Sequence, residues 1–149
     1  RISRGPRGSG SPSWMRDSAL PVYIVDTHAL FWYRSDPTRL SAAADAVFRL
    51  ADSGSAVIIV PAIVVAELFY LTQKLGRAMS TAAIIADIHQ SREFVFSPLG
   101  QDQLEALERV EGVQEMRDRL IAAEALVHRA PIVSRDDVLR GNPMVEVIW

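Results

Sequence analysis

Short apolar runs rich in β-branched residues alternate with longer amphipathic stretches along most of the chain. Uninterrupted runs of this kind are typical of strands that are buried on both faces of a parallel sheet. Because helical patterns fill the intervals, the alternation predicts a doubly wound α/β fold, with a central, mostly parallel sheet of about four to five strands and helices on both faces. The predicted strands are 22–26, 56–60, 93–96, 131–133 and 145–148.

Capping and turn residues set the bounds of the predicted helices. Residues 27–33 continue from the first strand as a helix, and Ser41 caps a second helix that extends to about residue 51. Pro61 suits the first turn of a third helix, which Gly76 ends. Further helices are predicted over about 80–90, 101–110 and 115–129, with a brief turn or helix at 136–139.

The first residues of the chain lack this alternation. Residues 1–14 are rich in Gly, Ser, Pro and Arg and carry no periodic apolar pattern. We therefore expect a flexible N-terminal tail at 1–21 and a single domain at 22–149. Met15 is a candidate natural start, in which case residues 1–14 would be vector-derived or upstream sequence.

Composition narrows the class of protein. With 49% apolar and 23% charged residues, the chain resembles globular proteins rather than disordered ones. The absence of cysteine excludes disulfides, thiol catalysis and zinc–thiolate sites, and suits a reducing compartment, so we expect a cytoplasmic protein. The longest apolar stretch, 56–66, is too short to span a membrane. A net charge of −2 argues against a broad basic face for nucleic acid, but not against an enzyme that binds phosphates through a metal.

Four carboxylates lie inside or at the end of apolar segments, where burial of a charged group costs free energy. Asp26 ends the first strand, Glu67 interrupts the third helix, Asp118 precedes the apolar run 120–123, and Asp136 follows the fourth strand. Ligands collect beyond the carboxyl ends of parallel strands, and all four acids can reach that rim. Several buried carboxylates would repel one another, and a divalent cation with oxygen ligands is the simplest compensation.

Each acid also has an ordinary structural role open to it. Asp26 and Asp136 can cap the helix or turn that follows, Asp118 can complement a helix dipole, and Glu67 can face solvent. The metal hypothesis therefore depends on the conjunction of all four. In that hypothesis Asp26 and Asp136 contact Mg²⁺, for which Mn²⁺ substitutes, while Glu67 and Asp118 complete the metal's ligands or orient the attacking water.

Residues next to these acids are candidates for supporting roles. Thr27 and Ser134 offer hydroxyls beside the two strand-end acids, and Glu115 lies one turn before Asp118 on the same helix face. His28 can approach the site or pack as a neutral side chain. Three arginines are candidates for contacts to an RNA backbone or for ion pairs with neighbouring acids: Arg117, Arg119 and Arg135. His89 and His128 fall on predicted helices without ligand-spaced partners.

Five stretches, 25–32, 66–68, 118–123, 132–136 and 145–149, resemble the motifs of PIN-domain ribonucleases, specifically VapC-type toxins of bacterial toxin–antitoxin pairs. The resemblance covers about 22–149 in the right order, and it places the four family acids on Asp26, Glu67, Asp118 and Asp136. One departure is Glu115, where many relatives carry Asp. The resemblance implies a PIN domain that cleaves single-stranded or looped RNA with Mg²⁺ or Mn²⁺, commonly forms a homodimer, and is silenced by a VapB-type antitoxin.

The leading hypothesis is thus a metal-dependent endoribonuclease toxin that hydrolyses RNA in line and leaves 5′-phosphate and 3′-hydroxyl ends. We expect the antitoxin to cover apolar helix surfaces around 30–32, 42–50 and 78–88. The alternative is a catalytically silent PIN-fold module for RNA binding or protein interaction, against which the intact set of acids argues. A haloacid-dehalogenase phosphatase would need Asp in place of His28, and a phosphoreceiver domain would need a late lysine, whereas Lys74 is mid-chain.

Overall fold

Five parallel strands form the centre of the molecule. The computed structural model describes residues 20–149, so the predicted tail up to residue 19, with Met15, lies outside the described residues. Every pair of neighbouring strands is parallel, in the order β3-β2-β1-β4-β5, which confirms the predicted fold class. The strands are β1 (Val22–Val25), β2 (Val57–Pro61), β3 (Phe94–Ser97), β4 (Ile132–Val133) and β5 (Val147–Ile148).

Seven α-helices connect these strands in the described part of the chain. Two of them start after a serine at the predicted position, since the Ser41 hydroxyl accepts from the Ala44 amide at 3.1 Å and the Ser80 hydroxyl from the Ala83 amide at 3.2 Å. Pro61, predicted in the first turn of the third helix, instead ends β2 and precedes that helix. None of the described helices has the length and apolar character needed to cross a membrane. The helices are α1 (Thr27–Ser35), α2 (Ala42–Asp52), α3 (Ala62–Lys74), α4 (Thr81–Gln90), α5 (Gln101–Leu107), α6 (Met116–His128) and α7 (Asp137–Arg140), with a 3₁₀ turn at Pro37–Arg39.

One helix ends earlier than its pattern predicts. The pattern extends to Val110, but α5 ends at Leu107. Beyond that point the chain turns with the tighter hydrogen bonding of a 3₁₀ helix, because the amides of Arg109 and Val110 donate to carbonyls only three residues back.

Both faces of the sheet are covered. Consecutive residues of β1, β2 and β4 are fully buried, including Ile24 with Val25 and Ile132 with Val133. Since neighbouring residues of a strand point to opposite faces, this burial requires a packed layer on each side.

The strand order changes direction at β1. From β1 the chain builds outwards to β2 and β3, and later places β4 and β5 on the other side. The amide of Asp26 donates to the Val133 carbonyl at 3.0 Å, so the residues that follow β1 and β4 lie side by side. This is a topological switch point, where α/β sheets bind ligands.

Candidate active site

A pocket of about 530 Å³ opens at the carboxyl ends of β1 and β4. All four acids singled out by the sequence line it, although they come from four separate segments of the chain. Glu115 and the neighbouring Asp137 lie there too. The six acids of the pocket are Asp26, Glu67, Glu115, Asp118, Asp136 and Asp137.

Asp26 is fixed by hydrogen bonds on both carboxylate oxygens. The Thr27 amide donates to Oδ1 at 2.7 Å, and the Ser134 hydroxyl donates to Oδ2 at 2.5 Å. Burial raises the pKa of Asp26, the two hydrogen bonds lower it in part, and the charge of Asp136 raises it again. Asp26 also caps α1, which is the ordinary structural role that its position in the sequence allowed.

Two buried hydroxyls connect the acids. The Thr27 side chain, 2% exposed, donates to Oε1 of Glu67 at 2.9 Å. Ser134 is fully buried and accepts from the Asp136 amide at 3.0 Å while it donates to Asp26. Ser134 thus bonds to a strand-end acid, as its position suggested, whereas the Thr27 hydroxyl bonds to Glu67 and not to either strand-end acid.

Arg117 lies between two of the acids. Its Nε donates to Glu115 Oε1 at 2.7 Å, and its Nη1 is 3.4 Å from Glu67 Oε2. The hydrogen bond from Arg117 lowers the pKa of the exposed Glu115. Burial raises the pKa of Glu67, although the hydrogen bond from Thr27 offsets part of this effect. Glu115 also caps α6, where its Oε2 accepts from the Asp118 amide at 2.9 Å.

Asp118 experiences the pocket's negative charge most directly. Burial and then the charges of Asp136, Glu115, Asp26 and Glu67 raise its pKa from 3.8 to about 6. Each of the other five acids accepts a hydrogen bond or pairs with an arginine. Among the described residues, Asp118 is the pocket acid whose carboxylate has no such partner.

A divalent cation fits this set of donors as a hydrated ion. No group of three or more His, Cys, Asp or Glu side chains among residues 20–149 is arranged to hold a metal directly. The carboxylates of Asp26, Glu67 and Asp136 accept hydrogen bonds from protein donors. Mg²⁺ needs only one or two protein carboxylates, because it retains several waters. A pocket of mutually repelling acids, with Asp118 free of a protein donor, suits that mode of binding.

The three arginines predicted near the acids have different positions. Arg117 and Arg135 line the pocket. Arg119 does not: its Nε donates to the Leu107 carbonyl at 2.9 Å, which ties the start of α6 to the end of α5.

Trp32 is a pocket residue that the sequence reasoning missed. It is 7% exposed, and its ring centroid lies 5.6 Å from that of His28. The two residues are four apart on α1, which places both on one face of a helix that starts beside Asp26. That spacing was the signal available in the sequence.

A second group of polar side chains is buried away from the pocket. Oε2 of Glu124, 2% exposed, accepts from the Ser97 hydroxyl at 2.9 Å and lies 3.0 Å from His128 Nε2. His128 has a hydrogen-bonding partner that the sequence analysis did not name, because Glu124 is one helical turn before it. Glu124 lies within the apolar run of α6, just as the four pocket acids lie in or beside apolar runs. Its position was therefore a signal of a buried acid that the sequence analysis did not use.

Comparison with known proteins identifies related folds. The model of the PIN domain family matches residues 23–142. The structure is similar to VapBC2 from Rickettsia felis, solved bound to a DNA fragment from its promoter, with a TM-score of 0.60 and 16% identity over 85% of this chain and 96% of the other.

Two further solved structures are similar. One is a toxin–antitoxin complex from Klebsiella pneumoniae, with a TM-score of 0.57 and 20% identity over 83% of this chain and 94% of that one. The other is FitAcB from Neisseria gonorrhoeae, with a TM-score of 0.53 and 19% identity over 84% and 95%. No curated protein matches the chain significantly. At these identities the structural likeness supports the fold.

Proposed function

The chain belongs to the PIN domain family, and from this premise we propose that it is a divalent-metal-dependent endoribonuclease that acts as the toxin of a toxin–antitoxin pair. The observation that carries the proposal is the convergence of Asp26, Glu67, Asp118 and Asp136 on one pocket at the switch point of the sheet. A purely structural role would not require four acids from distant segments to share one partly buried pocket.

We propose that the four acids bind Mg²⁺, with Mn²⁺ as a substitute, as a hydrated ion that one or two of them contact directly and the others hold through its waters. A cation held there would neutralise charge on the scissile phosphate and activate a water molecule. The chain's own residues supply the positioning: Ser134 and Thr27 hold Asp26 and Glu67, and the free carboxylate of Asp118 orients the attacking water. Because water attacks the phosphorus and the 3′-oxygen leaves, we expect 5′-phosphate and 3′-hydroxyl ends.

Cleavage of total cellular RNA tests this proposal. Wild-type protein should give discrete products with Mg²⁺ or Mn²⁺ and none with EDTA, and Asp26→Asn should lower the rate at least about a hundredfold because it removes a charge from the metal site. Asp45→Asn is the matched control, since Asp45 pairs with Arg49 on the surface of α2.

Other outcomes separate the alternatives. Folded wild-type protein that cleaves no RNA with either metal would favour the silent module. A cyclic phosphate in the products would contradict hydrolysis by water. Equal cleavage by wild type and Asp26→Asn would show that the active site lies elsewhere.

We also propose that an antitoxin protein covers an apolar groove between α1 and α4. The groove measures about 270 Å³, and its walls include Leu30, Ile84 and Ile88. An Arg34–Asp87 ion pair at 3.3 Å lies at its edge. This combination suits an amphipathic segment of a partner, and two of the similar structures are described as VapBC2 and a toxin–antitoxin complex. We propose further that the protein forms a homodimer and is located in the cytoplasm.

A further inference from the structure

The pocket contains an aromatic and basic group beside its acids. His28, Trp32 and Arg135 line it together, and we call them the Trp32 cluster. Trp32 is almost fully buried, whereas His28 and Arg135 are exposed. A fixed ring thus carries two planar groups that face solvent at the mouth of the pocket.

The contacts within the cluster fix these planar groups. The His28 ring lies 5.6 Å from the Trp32 ring at an interplanar angle of 50°, and the Arg135 guanidinium lies 5.8 Å from the same ring. Trp149 packs against Trp32 at 5.7 Å and supports it from outside the pocket. His28 and Arg135 are therefore preorganised next to the acids, which reduces the entropic cost of binding.

Charge distinguishes the two arginines that line the pocket. Arg117 is neutralised by ion pairs with Glu115 and Glu67. Within residues 20–149, Arg135 forms no ion pair, and its guanidinium lies over the Trp32 ring. The planar guanidinium of Arg135 is therefore available to a ligand in the acidic pocket.

We infer that the Trp32 cluster stacks an unpaired nucleobase of the RNA next to the scissile phosphate, an inference that rests on the endoribonuclease function proposed above. Imidazole and guanidinium planes stack on the faces of bases that are not paired in a duplex. Stacking tolerates any base, so the cluster positions the strand and favours single-stranded over duplex substrates.

RNA binding by variants of the cluster tests the inference. In protein that also carries Asp26→Asn, which keeps the RNA intact, the affinity for a short, labelled, single-stranded RNA pool is measured by fluorescence anisotropy with Mg²⁺. His28→Ala should weaken binding at least about fivefold, which corresponds to roughly 1 kcal/mol. His28→Phe should retain the affinity because it keeps a planar ring. Arg135→Lys should weaken binding although the charge remains.

Two controls address charge and folding. His28→Ala should leave binding to an abasic sugar–phosphate chain of the same length unchanged, because that probe has no base to stack. His89→Ala makes the same substitution on α4, and Arg39→Ala removes another guanidinium near Trp32 that does not line the pocket. Both should bind the RNA pool as the parent protein does. Thermal unfolding verifies that every variant is folded.

Three results would overturn the inference: unchanged RNA affinity in His28→Ala, equal losses in His28→Phe and His28→Ala, or an equal loss for the abasic chain. Cleavage of total RNA by wild type separates this failure from failure of the proposed function. If wild type cleaves RNA while the variants bind normally, only the stacking site is wrong. If wild type neither binds nor cleaves RNA, the nuclease function fails and the stacking site with it.

Discussion

The carboxylate of Asp118 is partly buried among other acids, and these surroundings raise its pKa to about 6. A carboxyl group whose pKa is higher in the folded than in the unfolded chain contributes stability at low pH. That contribution is complete below the unfolded value of 3.8 and is lost as the pH rises through about 6. Metal-free protein therefore carries an electrostatic cost at neutral pH.

Replacing Asp118 by Asn should remove this cost. In EDTA near neutral pH, we expect the free energy of unfolding to rise by about 1 kcal/mol, since solvent screens a half-exposed group. The gain should disappear at about pH 4, where wild type is also protonated. Urea unfolding across this range measures it. Asp137→Asn, at an exposed acid paired with Arg140, is the control, and a gain that does not vary with pH would contradict the explanation.

Thr27 offers a test of how the acids are held. Thr27→Val keeps the shape of the side chain but leaves Glu67 Oε1 without its 2.9 Å hydrogen bond. We expect a loss of about 1–2 kcal/mol in stability and at least about tenfold slower RNA cleavage, because a misplaced acid is a poor ligand. Thr27→Ser retains the hydroxyl and should behave like wild type. Equal activity in the two variants would show that the hydrogen bond is dispensable.

Among individual residues, the sequence predicted which acids share the pocket better than it predicted the residues that contact them. An acid at the end of an apolar run is visible because its position is energetically costly. The ion pairs of Arg117 and the place of Trp32 in the pocket depend on how distant segments pack, which no local pattern records. The roles of the acids in catalysis and metal binding stay predictions.

Among the elements, α6 connects the pocket to the buried polar group at its other end. Asp118 lies in its first turn, whereas Glu124 anchors the helix to Ser97 at the end of β3. Glu124→Ala should cost about 2–4 kcal/mol in stability, because Ser97 and His128 lose a buried partner. Glu124→Gln keeps an oxygen acceptor and should cost less. Urea unfolding measures both.

Cleavage assays on the same variants separate stability from chemistry. Neither Glu124 nor His128 lines the pocket, so the rate of RNA cleavage per folded molecule should be unchanged well below the unfolding temperature. A large loss of activity in stable Glu124→Gln protein would contradict this separation.

The bounds of the helices and strands were largely predictable, because the capping and turn residues that end them act locally. Ser41 and Gly76, for example, mark ends through caps and backbone preference, and Gly76 has a φ of +81°. The last two strands are shorter than predicted, with two residues each. Pro131 has no amide hydrogen to donate to the sheet, and β5 pairs only with the short β4.

For the whole molecule, the order of the strands was the part that sequence patterns left open. Local periodicity identifies strands but does not say which ones pair. The order β3-β2-β1-β4-β5 arises from long-range packing, and it puts β1 beside β4. The expectation that the acids share a rim depended on the general behaviour of parallel sheets, and the pocket agrees with it.

The sequence predicts a further antitoxin surface over 42–50, outside the groove between α1 and α4, and it can be tested on exposed residues. Leu50, 42% exposed on α2, belongs to the predicted 42–50 surface. Leu50→Glu should weaken, at least about tenfold, binding of a small protein encoded next to this one, because a charge would be desolvated in an apolar interface. Leu104→Glu, at a residue 52% exposed on α5, should bind normally. Isothermal titration calorimetry measures both, and equal affinities would exclude the α2 surface.

The contact between Trp32 and Trp149 gives the molecule an intrinsic optical reporter. The chain has three tryptophans, and Trp14 lies outside the described residues. After Trp14→Phe, all indole emission would come from two rings 5.7 Å apart, one of which lines the pocket. The arrival of a cation or a nucleotide could then be followed as a change in emission intensity or wavelength, in unlabelled protein and on the millisecond scale of a stopped-flow instrument.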